Sequence, residues 1–154
     1  MRARILGALG SVTRPELSAR ALDLTLDSRL RSNEILSLLN GQLDQPETRE
    51  AAWAWLEAHV DAVLARLPPG RAARLALVGT AFCDAGHADA LERLFTERAK
   101  KLDGGPREIA GAVEMVRLCA ARRDAAGPAL RALFGGAKRP VVRRPGQSGA
   151  SKRP

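Results

Sequence analysis

Residues 46–67, PETREAAWAWLEAHVDAVLARL, constrain the fold more than any other stretch of the chain. Trp53, Leu56, Val60, Val63, Leu64 and Leu67 recur at three- and four-residue steps, which lines them along one face of a helix. A second strip through Ala52, Trp55 and Ala62 widens that face, so the helix is expected to have neighbours on two sides. Pro46 suits a first turn, where a missing N–H costs nothing, and Glu47 and Glu50 complement the positive helix end. Pro68-Pro69-Gly70 stops it. Both tryptophans of the chain lie in this one segment.

A helix flanked on two sides calls for other helices, and the remaining sequence offers them. Aromatic residues make up only 3% of the chain and tyrosine is absent. Alanine and leucine carry the apolar content instead, which favours close helix packing through small side chains. No stretch alternates apolar and polar residues, so no strand is expected. Helices are predicted over 2–9, 15–26, 32–39, 46–67, 71–83, 87–102 and 107–123. The third should end at Asn40-Gly41 through the left-handed conformation. Asp103-Gly104-Gly105-Pro106 is a strong turn signal, and Gly127-Pro128 should restart the chain into a short last helix with Leu130, Leu133 and Phe134. The fold expected is all-α, a right-handed solenoid of about eight short helices in antiparallel hairpins, HEAT- or armadillo-like. The architecture rests on helix lengths and turn spacing, since no sequence period is visible.

The formal charge of +8 is unevenly placed. Lys138, Arg139, Arg143, Arg144, Lys152 and Arg153 follow Gly136 with no acid among them, leaving +2 for residues 1–136. The sequence therefore divides into a folded domain, 1–136, and a basic, disordered Pro/Gly/Ser-containing tail, 137–154. The tail has no aromatic platform for bases, so nucleic acid is no expected partner beyond weak, salt-sensitive electrostatics. No apolar run approaches the roughly 20 residues that span a bilayer, and no membrane partner is expected. Residues 1–10 are too short for a secretory signal. Cys83 and Cys119 read as reduced, small apolar side chains, and the chain as cytoplasmic.

Catalytic machinery is not evident. His59 and His87 form no H-E-x-x-H pair, and His59 reads as a packed side chain. Cys83 and His87 could occupy one corner of a zinc site, but no second close pair supplies the other ligands. There is no nucleophile with a base, no phosphate loop and no close carboxylate pair. No catalytic residue and no metal ligand is assigned. Arg31, with Asn33 and Glu34, is the polar group that stands out. Arg31 could grip a carboxylate bidentately, with Glu34 beside it in a peptide-binding site, or it could be a structural ion-pair partner for a neighbouring helix.

These residues carry a resemblance. Leu30-Arg31-Ser32-Asn33-Glu34, an apolar helix, and then Arg49-Glu50-Ala51-Ala52-Trp53-Ala54-Trp55-Leu56 resemble the ERAP-like C-terminal helical domain of zinc aminopeptidases of the aminopeptidase N and puromycin-sensitive type. That family writes I-R-x-Q-D, an apolar helix, and A-W-x-F-[IVL]-x-x-N-W. Phe82-Cys83 with Ala90-Leu91-Glu92-Arg93-Leu94-Phe95, and Arg107-Glu108-Ile109-Ala110-Gly111-Ala112-Val113-Glu114, are similar to two later helices of the same domain. Four motifs in order span about residues 2–134. The sequence departs from the pattern at Asn33-Glu34, where Gln-Asp is usual, at His59-Val60, where Asn-Trp is usual, and at Gly111, where Gln is common.

The resemblance implies a non-catalytic domain fragment that encloses an active-site cavity and helps hold peptide during N-terminal amino-acid removal. Its partners would be an upstream catalytic domain and the peptide substrate. Zinc would belong to that missing catalytic domain, since neither H-E-x-x-H nor G-[AG]-M-E-N is present here. A free-standing helical-repeat scaffold that binds another protein is the alternative.

Overall fold

The computed structural model describes residues 1–135. Their regular structure is entirely helical, and no strand occurs among them. The tail division at 137–154 lies outside the described residues. The helices are α1 (Arg2–Gly10), α2 (Pro15–Asp23), α3 (Ile35–Asp44), α4 (Arg49–Arg66), α5 (Pro69–Ala72), α6 (Ala85–Ala99) and α7 (Gly105–Gly135). A 3-10 turn, Leu24–Leu26, extends α2, and a longer 3-10 segment, Ala73–Ala81, extends α5. α1 and α2 pack on α3, α3 on α4, and α7 on both α6 and the 73–81 segment. This order is compatible with a solenoid of helical hairpins.

The α4 helix takes the central place that its pattern predicts. Trp53, Leu56, Val60, Val63 and Leu67 are buried in one core with Ile35 and Leu39 of α3, Leu75 and Ala76 of the 73–81 segment, and Leu91 and Phe95 of α6. The second strip is less buried than expected. Ala52 is buried, but Ala62 is exposed and Trp55 half-buried. Trp55 instead donates its indole N–H to Asp23 at 3.0 Å and stacks on His59, tying α4 to α2. Pro46 lies in the turn before α4 rather than in its first turn.

The helix expected over 71–83 is mostly the 3-10 segment, and three further helix boundaries differ from expectation. Asn40-Gly41 does not end α3, which runs on to Asp44. Gly41 is spent on packing rather than on a left-handed turn, because a Cβ there would sit 2.7 Å from the carbonyl oxygen of Gly10. The two backbones thus touch where α1 ends. The break at Gly127-Pro128 does not form either, so the predicted seventh and eighth helices are one, α7, with Pro128 inside it. A proline's ring crowds the backbone N–H and the Cβ of the residue before it when that residue is helical, and Gly127, without a Cβ, relieves part of that crowding. Finally, residues 32–34 precede α3 instead of forming its first turn.

The cysteines are a further correction. Cys83 and Cys119 are joined in a disulfide with their Cα atoms 5.0 Å apart. Their 36-residue separation hid this, since spacing alone does not bring two cysteines together. The bridge fastens α7 to the turn before α6, and the thiol argument for a cytosolic compartment falls away. No described helix is long and apolar enough to cross a membrane.

A buried polar knot closes the α1–α3 end. Gln42, fully buried, donates its side-chain amide to the carbonyls of Gly10 at 2.9 Å and Val12 at 3.0 Å, and accepts from the Ser18 hydroxyl. The Thr48 hydroxyl donates to the Gln42 carbonyl at 2.7 Å. Nearby, the Arg49 guanidinium reaches back to the carbonyls of Leu43 and Asp44, satisfying the last turn of α3. The Thr25 hydroxyl is buried without a hydrogen-bond partner among the described residues.

Two measurements follow from this packing. Gly41→Ala should destabilise the chain by about 2 kcal/mol in urea unfolding, because backbone rather than a pliable side chain blocks the added methyl. Thr25→Val keeps the shape and removes the orphan hydroxyl, so it should leave stability unchanged or raise it by up to about 1 kcal/mol. A marked loss would mean that the hydroxyl is bonded.

Candidate functional site

The polar residues singled out in the sequence lie on the turn between the Leu24–Leu26 extension and α3. Two arginines hold that turn in place, one from α4 and one of the turn's own. Arg66, in the last turn of α4, donates to the carbonyls of Thr25 and Leu30, both at 2.8 Å. Arg29 forks onto Asp27, whose carboxyl is held well below the usual range mainly by those side-chain hydrogen bonds. Arg66 escaped notice in the sequence because an arginine in a last helical turn is routine for the helix dipole. Its half-buried position was the only usable signal, and burial is not visible in one dimension.

Glu34 stands at the N-terminal boundary of α3 and joins two partners. Its carboxylate accepts the backbone N–H of Arg31 at 2.9 Å and pairs with the Arg2 guanidinium of α1 at 2.8 Å. Arg2 also donates to the carbonyl of Arg29. The ion pair that closes this turn onto a neighbouring helix is therefore made by Arg2, while Arg31 contributes its main chain. The Arg31 side chain is exposed, and its guanidinium has no ion pair among the described residues. Asn33 is exposed beside it. The structure thus brings Arg31 and Glu34 together, with the acid already engaged and the base presented to solvent.

His87 and Cys83 lie elsewhere, at the start of α6. Asp84 caps that helix by accepting the His87 backbone N–H at 2.9 Å. The ring of His87 meets Asp84 through Nδ1 at 2.8 Å and Glu50 of α4 through Nε2 at 3.2 Å, and stacks on Phe82 at 3.7 Å. Trp53 meets Phe82 edge-on at 5.5 Å. Burial raises the Asp84 carboxyl, but the hydrogen bonds from His87 outweigh it and set the carboxyl below its ordinary value. Zinc finds no donor set here: Cys83 is bonded to Cys119, and both ring nitrogens of His87 face carboxylates. No three His, Cys, Asp or Glu side chains converge among the described residues.

An open groove of about 580 Å³ runs between α6 and α7. Ala99, Pro106, Ile109 and Val113 give it an apolar floor, with Lys100 and Arg117 on its rim. Arg117 is committed to Asp89 and Glu92 at 2.9 and 2.8 Å.

The Glu34 carboxyl is lowered first by the Arg31 backbone N–H, with burial opposing and Arg2 adding a smaller part. A lowered folded value means that its contribution to stability is present above the unfolded glutamate pKa and is lost as pH falls through the folded value. In an NMR titration of the side-chain carboxyl, Glu34 should titrate below an ordinary glutamate and stay below it in Arg2→Gln. Full recovery of the ordinary value in that variant would make Arg2 the dominant cause.

Comparison with known proteins adds the family. Residues 1–118 match the family described as ERAP1-like C-terminal domain. No curated protein matches the chain. The matched span takes in all of α1, the Arg31–Glu34 turn and the whole of α4, and ends inside α7. With about three quarters of its length matched and an all-helical fold in place, the chain belongs to the ERAP1-like C-terminal domain family.

Proposed function

We propose that this chain serves as the non-catalytic C-terminal helical domain of a zinc aminopeptidase. In that role it walls the cavity in which a peptide is held, while a separate domain carries the zinc and removes the N-terminal amino acid. Family membership over residues 1–118 carries the reading. It also favours this role over a free-standing scaffold.

Within that role, Arg31 is the residue suited to meet peptide. Its guanidinium is exposed next to a turn held by Arg66, Arg29 and Glu34, so its backbone is fixed before any ligand arrives. A planar guanidinium matches a carboxylate with two parallel hydrogen bonds, which suits a peptide's C-terminus or an acidic side chain. Glu34 is a positioning residue here, since its oxygens are occupied by Arg31 N–H and Arg2.

The test uses fluorescence anisotropy of labelled peptides with a free or an amidated C-terminus. Arg31→Ala should weaken binding of the free-carboxylate peptide by about tenfold, and amidation should do the same without adding to it. Equal binding of both peptides by both proteins would remove Arg31 from the site. In parallel, the purified chain supplied with zinc should release no chromophore from aminoacyl anilides, and turnover would overturn the non-catalytic role.

A further inference from the structure

The family match stops at Leu118, but α7 continues to Gly135. From Ala121 to Gly135 every residue is exposed except Gly127, which is half-buried. This half of α7 has left the body of the domain. It is about 22 Å long at 1.5 Å per residue. A helix of this length is marginal in water without something to pack on.

Its surface is apolar and basic at once. Leu130, Leu133 and Phe134 stand at i, i+3 and i+4, so they share one face, and they are 51%, 70% and 68% exposed. On a helical projection Arg122 and Arg131 fall on opposite flanks of that face. The charge distribution sharpens the point. Nine of the chain's arginines and lysines, against the single acid Asp124, follow Ala120. The whole net charge of +8 therefore lies after Ala120, and residues 1–120 balance to zero.

We propose that the projecting half of α7 docks on an anionic lipid surface, lying in the plane of the headgroups. Leu130, Leu133 and Phe134 enter the acyl boundary, and the flanking arginines meet the phosphates and carboxylates of the headgroups. A bilayer supplies negative charge and an apolar layer to the same helix face. A nucleic acid supplies charge alone and leaves the two leucines in water. No spanning segment is needed, so the contact is compatible with helices too polar to cross a membrane. The proposal is independent of the aminopeptidase reading, because it rests on residues beyond the matched span.

Co-sedimentation of the full 154-residue chain with lipid vesicles tests it. At near-physiological salt the chain should pellet with phosphatidylcholine vesicles that contain about a quarter phosphatidylserine and stay in solution with pure phosphatidylcholine. Leu133→Asp with Phe134→Asp should weaken that binding by about tenfold or more, and Arg122→Glu with Arg131→Glu by a similar factor. Because these side chains touch no core, both variants should melt at the parent temperature, which separates lost docking from lost folding. Absence of binding to the anionic vesicles overturns the proposal. So does binding unchanged by the aspartate pair, or tighter binding to duplex DNA that ignores that pair. A stable dimer by light scattering that the aspartate pair dissolves would assign the face to a second copy instead.

Discussion

One buried side chain, Gln42, holds the first third of the molecule together. Where α1 ends, the carbonyls of Gly10 and Val12 point into the protein and would be unsatisfied without a donor. Gln42 supplies it from α3, and its own oxygen and main-chain carbonyl are met by Ser18 of α2 and Thr48 at the entry to α4. One amide thus joins α1, α2 and α3, and the main chain of the same residue adds the entry to α4. The contact of Gly10 with Gly41 places the donor within reach, since a bulkier residue at either position would push α1 outward. The fixed angle of α1 in turn delivers Arg2 to Glu34, and with it the turn that carries Arg31.

A different solution serves the other end. There most ion pairs lie at the surface, and the interior is joined by aromatic packing and a covalent bond. Trp53, Phe82 and His87 pack between α4 and α6, and the disulfide beside them holds α7. Beyond the disulfide, α7 loses its neighbours within a turn. The bridge marks the border between the part of α7 that belongs to the domain and the part that faces outward.

The all-helical class, the central helix and the family were legible in the sequence because each depends on local pattern. Periodic apolar residues state which face of α4 is buried, whatever it packs on. The errors fall where a distant residue decides. Gly41 looked like a helix stop until Gly10 was seen against it, and the two cysteines looked solitary until the fold closed 36 residues into a loop. Gly127-Pro128 reads as a break because a helical proline loses an N–H and crowds the turn before it, and glycine relieves only the part of that crowding that involves a Cβ. At the candidate site, Arg31 and Glu34 were found from their sequence, but the partner that holds Glu34 is Arg2, 32 positions earlier. No spacing rule connects those two.

The disulfide also changes the connectivity of the chain. With Cys83 and Cys119 joined, the turn, α6 and the first half of α7 form a covalent ring. A single cut anywhere inside that ring opens it without separating the chain into two molecules. The exposed Asp103-Gly104 step, where Gly104 adopts a φ of 69°, lies inside the ring and connects α6 to α7. This exposed turn is thereby protected against loss of mass: a protease that nicks it leaves both fragments covalently joined until the disulfide is reduced.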